Sequence, residues 1–122
     1  MKVSEIVKIL NNWMPTSIAE EFDNVGLIVG DPQCLVNNIL ITLDTTINVV
    51  DEAIKRDCNF IISYHPIIFN ALKRMTPDSG YVQKSLIRAV KNNISIYAIH
   101  TSLDNHPKGI NYFLSKKIGL TN

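Results

Sequence analysis

Val3, Ile6, Val7, Leu10 and Trp13 recur at spacings of three and four, which places them on one face of an α-helix. Pro15 cannot continue that helix, because its ring removes a donor and crowds the preceding turn. Ser17-Ile18-Ala19-Glu20 has the form of a capping box and predicts a short helical turn. Asp23-Asn24-Val25-Gly26 reads as a turn or bulge. Leu27-Ile28-Val29 reads as a short strand stopped by Gly30-Asp31-Pro32. The run from Asn38 to Asp44 is nearly continuous in apolar and β-branched residues, which suits a strand covered on both faces. Thr45 or Thr46 can cap the next helix, whose apolar stripe is Val49, Val50, Ala53 and Ile54.

Asp57-Cys58-Asn59 breaks that helix, and a strand returns from Phe60 to Ser63. Pro66 cannot lie within a central strand, so this one ends near Tyr64. Residues 67–76 form a loop or irregular helix bearing Lys73 and Arg74, and Pro77-Asp78-Ser79-Gly80 is a turn. Val82, Leu86, Ile87, Ala89 and Val90 mark a helix stopped by Asn92-Asn93. A strand from Ser95 to Ile99 follows. The last helix runs from about Gly109 to Lys117, with Gly119 as its C′ residue. The order is α, β, then β-α-β-α-β-α. This alternation predicts an α/β fold with a mixed, largely parallel sheet flanked by helices and right-handed crossovers.

The 122 residues, 46% apolar and 19% charged, fit one folded domain with a modest core. A net charge of +1 provides no basic field for nucleic acid. Cys34 and Cys58 lack CxxC spacing and are expected as reduced thiols at or near the core. The N-terminus lacks the layout of a signal peptide, and no apolar run approaches the roughly 18 residues of a membrane span. A cytoplasmic protein with no membrane partner is the expectation.

Two polar clusters follow apolar runs: Ser63-Tyr64-His65-Pro66 and His100-Thr101-Ser102-Leu103-Asp104. If the two runs are neighbouring parallel strands, both clusters emerge at the sheet edge where open α/β sheets bind ligands. Imidazole and carboxylate converging there suit a divalent metal such as zinc, iron or manganese. His65 is the first candidate ligand, its departure set by Pro66. Asp104 could bind one metal or bridge two, or it could cap the following helix. His100 is favoured as an outer residue and proton carrier over a direct ligand. Tyr64 offers a phenol, a poor ligand for zinc but one that iron can accept. It could also donate to a water on the metal, or simply pack at the sheet edge.

His106 could line the site or form the turn before the last helix. Asp44 could act as a nucleophile, though helix capping is the favoured reading. Asp23 could present a carboxylate near the site or only make its turn. The chain contains neither a glycine-rich phosphate loop nor a nucleophile elbow.

Taken together, several stretches resemble the N-terminal half of the Ngg-interacting-factor-three-like dinuclear metal proteins, also called the GTP cyclohydrolase I type 2 family. They are Ala19-Glu20-Glu21-Phe22-Asp23-Asn24-Val25-Gly26-Leu27, Val29-Gly30-Asp31-Pro32, Leu43-Asp44-Thr45-Thr46, Ser63-Tyr64-His65-Pro66-Ile67-Ile68-Phe69, His100-Thr101-Ser102-Leu103-Asp104 and Gly109-Ile110-Asn111. The resemblance covers essentially the whole chain. It implies a two-metal site within an α/β fold and assembly into a toroidal hexamer.

The family usually places two successive ligand histidines before the proline. His65 matches the second, and Tyr64 stands where the first would be, as in some relatives. The family's aspartate ligand matches Asp104. A further histidine and glutamate come from a C-terminal half that this sequence does not contain. The expectation is therefore a single α/β domain over 1–122, truncated relative to the family's full-length form.

The resemblance implies a divalent-metal-dependent hydrolase of the GTP cyclohydrolase I type 2 kind. Its substrate would be a small molecule of nucleotide type, opened at the purine ring, with His100 as proton carrier. A phosphoesterase fits the same residues. The other reading is a non-catalytic metal-binding, metallochaperone-like or assembly module with an incomplete site. Loss of the C-terminal half should expose apolar surface and favour a homo-oligomer.

Overall fold

The computed structural model describes residues 1–120. Helix α1, Val3–Trp13, begins where the Lys2 backbone N–H donates to the Glu5 carboxylate at 2.7 Å. A short 3-10 turn, Thr16–Ile18, follows Pro15. The sheet is built from β1 (Gly26–Val29), β2 (Asn38–Thr42), β3 (Cys58–Ser63) and β4 (Ser95–Ala98). Helices α2 (Ile47–Lys55) and α3 (Tyr81–Lys91) alternate with the last three strands, and α4 (His100–Asn105) and α5 (Ile110–Lys117) close the described chain. The strand order is β1-β4-β3-β2, with β1 antiparallel to β4 and the other pairings parallel. The mixed, largely parallel α/β sheet expected from the alternation is therefore the one observed.

One face of the sheet packs Ile61 and Ile96 against Val50 and Ala53 of α2 and Leu86 and Ala89 of α3. On the other face, Phe60, Tyr97 and Ile99 meet Val3, Ile6 and Leu10 of α1, with Met14 beside them. Cys58 is buried, Cys34 is half-buried, and both are free thiols as expected. Asp57 and Asn93, both at φ 54°, turn the chain out of α2 and α3 into the next strands. Asx residues tolerate that left-handed conformation better than bulkier side chains do. No described helix is long and apolar enough to cross a membrane.

Three expectations need correction. Strand β2 is not covered on both faces. It is an edge strand, and its Ile39 and Ile41, with Leu43 beyond it, are exposed, Ile41 at 78%. The turn at Ser17 has no capping box: Pro15 is its N-cap and no side chain caps it. Glu20 reaches across the molecule instead, its N–H donating to Thr101 Oγ1 at 3.0 Å and its carboxylate accepting from Asn105 at 2.9 Å. The sequence pattern also does not anticipate α4. Six residues complete fewer than two turns, too few for a helical period to show.

Two glycines have positional reasons. Gly119 (φ +79°) is the C′ residue of α5: its N–H reaches Lys116 O at 3.1 Å, and Leu120 N–H reaches Ser115 O at 2.9 Å. At Gly109 a Cβ would lie 1.7 Å from the Leu103 carbonyl oxygen, so the approach of α5 to α4 has no room for a side chain. Gly109→Ala should therefore cost about 3 kcal/mol, the upper range for overpacking. Gly119→Ala, whose new methyl meets only open space, should cost about 1 kcal/mol of left-handed strain. Urea unfolding midpoints of the two variants would check this ranking.

Candidate functional site

Strands β3 and β4 run parallel with Ser63 opposite Ala98, and β2 is in register with Thr42 opposite Ser63. The ladder continues past the strand ends. Tyr64 N–H donates to Thr42 O at 3.1 Å and His65 N–H to Leu43 O at 3.0 Å. On the other side Ile99 N–H donates to Ser63 O at 3.0 Å and His100 N–H to Tyr64 O at 2.9 Å. Three chain exits thus leave one edge together. The Tyr64 and His65 rings lie 4.9 Å apart, Tyr64 and His100 5.3 Å, and His65 and His100 5.5 Å, all edge to face.

Each imidazole is held at Nδ1 by a carboxylate. His65 Nδ1 lies 2.8 Å from Asp44 Oδ1, and His100 Nδ1 lies 2.8 Å from Asp23 Oδ1. The pairs differ in exposure. The side chains of His65 and Asp44 are 46% and 56% exposed, whereas those of His100 and Asp23 are 20% and 0% exposed. Asp23 also accepts from Asn24 N–H at 2.8 Å, from Thr101 N–H at 3.1 Å and from the Thr101 hydroxyl. Burial alone would push its carboxyl pKa up. The bonds from His100, Thr101 and Asn24 outweigh that and hold it below the usual value, so it stays ionised.

Tyr64 donates its hydroxyl to both oxygens of Asp104, at 2.8 and 2.9 Å. Burial first, then the Asp104 bond and the charges of Asp104 and Asp23, push the phenol up to about 12. Tyr64 is thus a neutral donor at ordinary pH. Asp104 lies within α4 and does not cap α5, whose N-cap is Gly109. Its own carbonyl accepts from Asn111 Nδ2 at 3.1 Å, so the Gly109-Ile110-Asn111 stretch braces the carboxylate-bearing helix. His106 Nδ1 accepts from Lys108 N–H at 3.1 Å, which fits the turn reading.

The structure therefore brings Tyr64, His65, His100 and Asp104 to one edge. It also assigns two residues more sharply than the sequence does. Asp44 is not a helix cap: Thr46 takes that place, accepting from Val49 N–H at 3.3 Å, and Asp44 turns to His65. Two threonines after Asp44 already suffice as caps, and that redundancy is the available signal. Asp23 does present a carboxylate at the site.

The fit to a metal is partial. Among the described residues no three His, Cys, Asp or Glu side chains gather closely enough to hold an ion. His65 and Asp104 offer two donors where a catalytic zinc typically has three from protein.

A parallel-edge site of this kind, on this strand order, defines an α/β protein with a carboxylate-anchored histidine pair. The chain belongs to the Duf34/NIF3 (NGG1p interacting factor 3) family, which it matches over residues 1–122. It is 47% identical over 123 residues to a GTP cyclohydrolase 1 type 2 homolog of Staphylococcus epidermidis, covering 100% of this chain and 33% of that protein. Its fold is similar to that of a Bacillus cereus protein related to NIF3 (TM-score 0.93, 39% identity, 100% of this chain and 33% of that one). It is also similar to reduced HcgD from Methanocaldococcus jannaschii (TM-score 0.91, 32% identity, 100% and 48%). The chain thus spans about a third of the length of the Staphylococcus relative.

The Tyr64–Asp104 bond can be tested by ultraviolet titration of the phenols. Tyr64→Phe should remove a component with its midpoint at about 12, and Asp104→Asn should bring that midpoint down toward the ordinary 10.0. A Tyr64 that ionises at the ordinary value in the folded wild type would show that the bond does not form.

Proposed function

We propose that this chain supplies part of a divalent-metal-dependent hydrolase of the GTP cyclohydrolase I type 2 kind, acting on a small molecule of nucleotide type. One observation carries the reading: His65 is anchored at Nδ1 by Asp44, leaving Nε2 available, and its ring packs on Tyr64, whose hydroxyl holds Asp104. Proteins hold metal-ligating imidazoles this way, since the carboxylate fixes the tautomer and aims the ring. His65 and Asp104 would hold zinc, iron or manganese, up to two ions, completed by donors from outside these residues. The bound ion would acidify a water and polarise the electrophile. The remaining work falls to the chain's own groups. His100 takes up a proton at its free ring nitrogen, and Tyr64, kept neutral, holds Asp104 in place. The similarity to a GTP cyclohydrolase 1 type 2 homolog of Staphylococcus supports a nucleotide as the substrate class.

The purified chain, prepared in metal-supplemented buffer, should retain close to stoichiometric transition metal by elemental analysis. His65→Ala should abolish retention and His106→Ala should leave it unchanged. Asp44→Asn should weaken affinity about 10- to 100-fold, the usual cost of losing such an anchor. An apo wild-type protein would argue instead for the assembly module.

A second reading, an assembly module in a cytoplasmic homo-oligomer, rests on a different observation. Leu10 and Trp13 of α1, Ile41, Ile62, Tyr64, Ile99 and Leu103 line an apolar groove of about 230 Å³. It lies on the sheet face where β2 is uncovered. The segment Asn38 to Leu43 carries no charge and no proline, the usual guards of an open strand edge. A second copy of this chain is the fitting occupant, β2 against β2. Light scattering after size exclusion should then give a multiple of 13.7 kDa, and Ile41→Lys should return the chain to a monomer. A wild-type monomer at high concentration would exclude self-assembly.

A further inference from the structure

Asp23 and His100 are 77 positions apart, and the antiparallel pairing of β1 with β4, Gly26 opposite Ala98, brings them together. Asp23 Oδ1 accepts from Asn24 N–H and faces His100 Nδ1, while Oδ2 accepts the Thr101 N–H and hydroxyl. The carboxylate side chain is wholly buried. A buried anion cannot face a bare ring nitrogen, lone pair against lone pair, without forfeiting the hydrogen bond it needs. Nδ1 of the neutral ring must therefore carry the hydrogen, and Nε2 is left as the proton-free nitrogen.

The backbone shows how firmly His100 is held in place. His100 sits at φ 24°, a conformation side chains rarely adopt. Such strain persists only where the surroundings over-determine it. Here the two bonds from Thr101 to Asp23 and the His100 N–H bond to Tyr64 O do so. The exposed His65–Asp44 pair shares the geometry without the enclosure, so water competes for each partner.

We infer that Asp23 is a positioning residue for His100, locking its ring as the Nδ1–H tautomer so that Nε2 is the nitrogen that accepts a proton at the site. The inference deepens the hydrolase reading and rests on it for the role of that proton. An attacking water would lose its proton to Nε2. The ring would become an imidazolium balanced by Asp23, and the proton would pass on to the leaving group.

Long-range proton–nitrogen NMR on the ¹⁵N-labelled full chain tests this without metal, substrate or turnover. His100 would be assigned by the loss of its signals in His100→Gln. In the wild type above the imidazole titration range, His100 should show a protonated Nδ1 and a bare Nε2. In Asp23→Ala no acceptor faces Nδ1, so nothing at that nitrogen selects the tautomer. The ring should then show an averaged or Nε2–H pattern. An Nε2–H or averaged pattern in the wild type overturns the inference, as does an unchanged Nδ1–H pattern in folded Asp23→Ala. If that variant does not fold, the wild-type spectrum decides alone. Metal retention tests the hydrolase reading separately, so the two can fail independently.

Discussion

The backbone ladder that runs past the ends of β2, β3 and β4 is the constraint on which the rest of the site depends. Once Tyr64 and His65 are bonded to Thr42 and Leu43 on one side, and Ile99 and His100 to Ser63 and Tyr64 on the other, the three exits have little freedom. Side-chain convergence follows from register: shifting β4 by one residue would send His100 to the opposite face. The buried apolar side chains beneath, Ile61 opposite Ile96 on one face and Phe60 and Tyr97 within the cluster on the other, hold that register. Packing and chemistry are thus linked through a few main-chain bonds.

Much of this is legible in the sequence. Helices α1, α2 and α3 announce themselves because an apolar stripe repeated over two or three turns fits the helical period and no strand period, and their boundaries fall close to the expected ones. His65, His100 and Asp104 are legible because they follow strand-like runs, and the Tyr-His-Pro and His-Thr-Ser-Leu-Asp stretches together carry the family resemblance. What stays hidden is long-range. Whether Asp44 caps a helix or turns to a histidine 21 residues away depends on which strands are neighbours, and composition does not show that. The apolar run of β2 suggests cover on both faces because hydrophobicity records a preference for burial. It says nothing about whether a covering partner is present.

The two carboxylate–imidazole pairs show how burial divides similar groups between roles. His65 and Asp44 stand in water, so their pairing orients the ring at modest cost and leaves it open to a ligand. His100 and Asp23 are enclosed, so their pairing is stiff, and the chain keeps it by aiming Thr101 and Asn24 at the same carboxylate. Tyr64 lies between the two. A phenol held near 12 cannot take the place of a metal-binding imidazole as an anion at neutral pH, yet it fixes the carboxylate that the resemblance marks as a ligand.

Tyr64 also ties the site to the uncovered face of the sheet. Its ring lines the apolar groove with Trp13, Ile41 and Leu103, while its hydroxyl reaches Asp104. Closing that groove with another polypeptide would remove water from beside the bond, and a hydrogen bond to a carboxylate strengthens as the surrounding dielectric falls. Burial of Ile41 and its neighbours would supply the hydrophobic driving force, at about 25 cal/mol per Å² of apolar surface covered. Covering the groove would therefore stabilise the sheet edge and stiffen the Asp104 carboxylate in the same event. The apolar wall and the polar cluster are two sides of one tyrosine, so a partner on the groove would act directly on the Asp104 carboxylate.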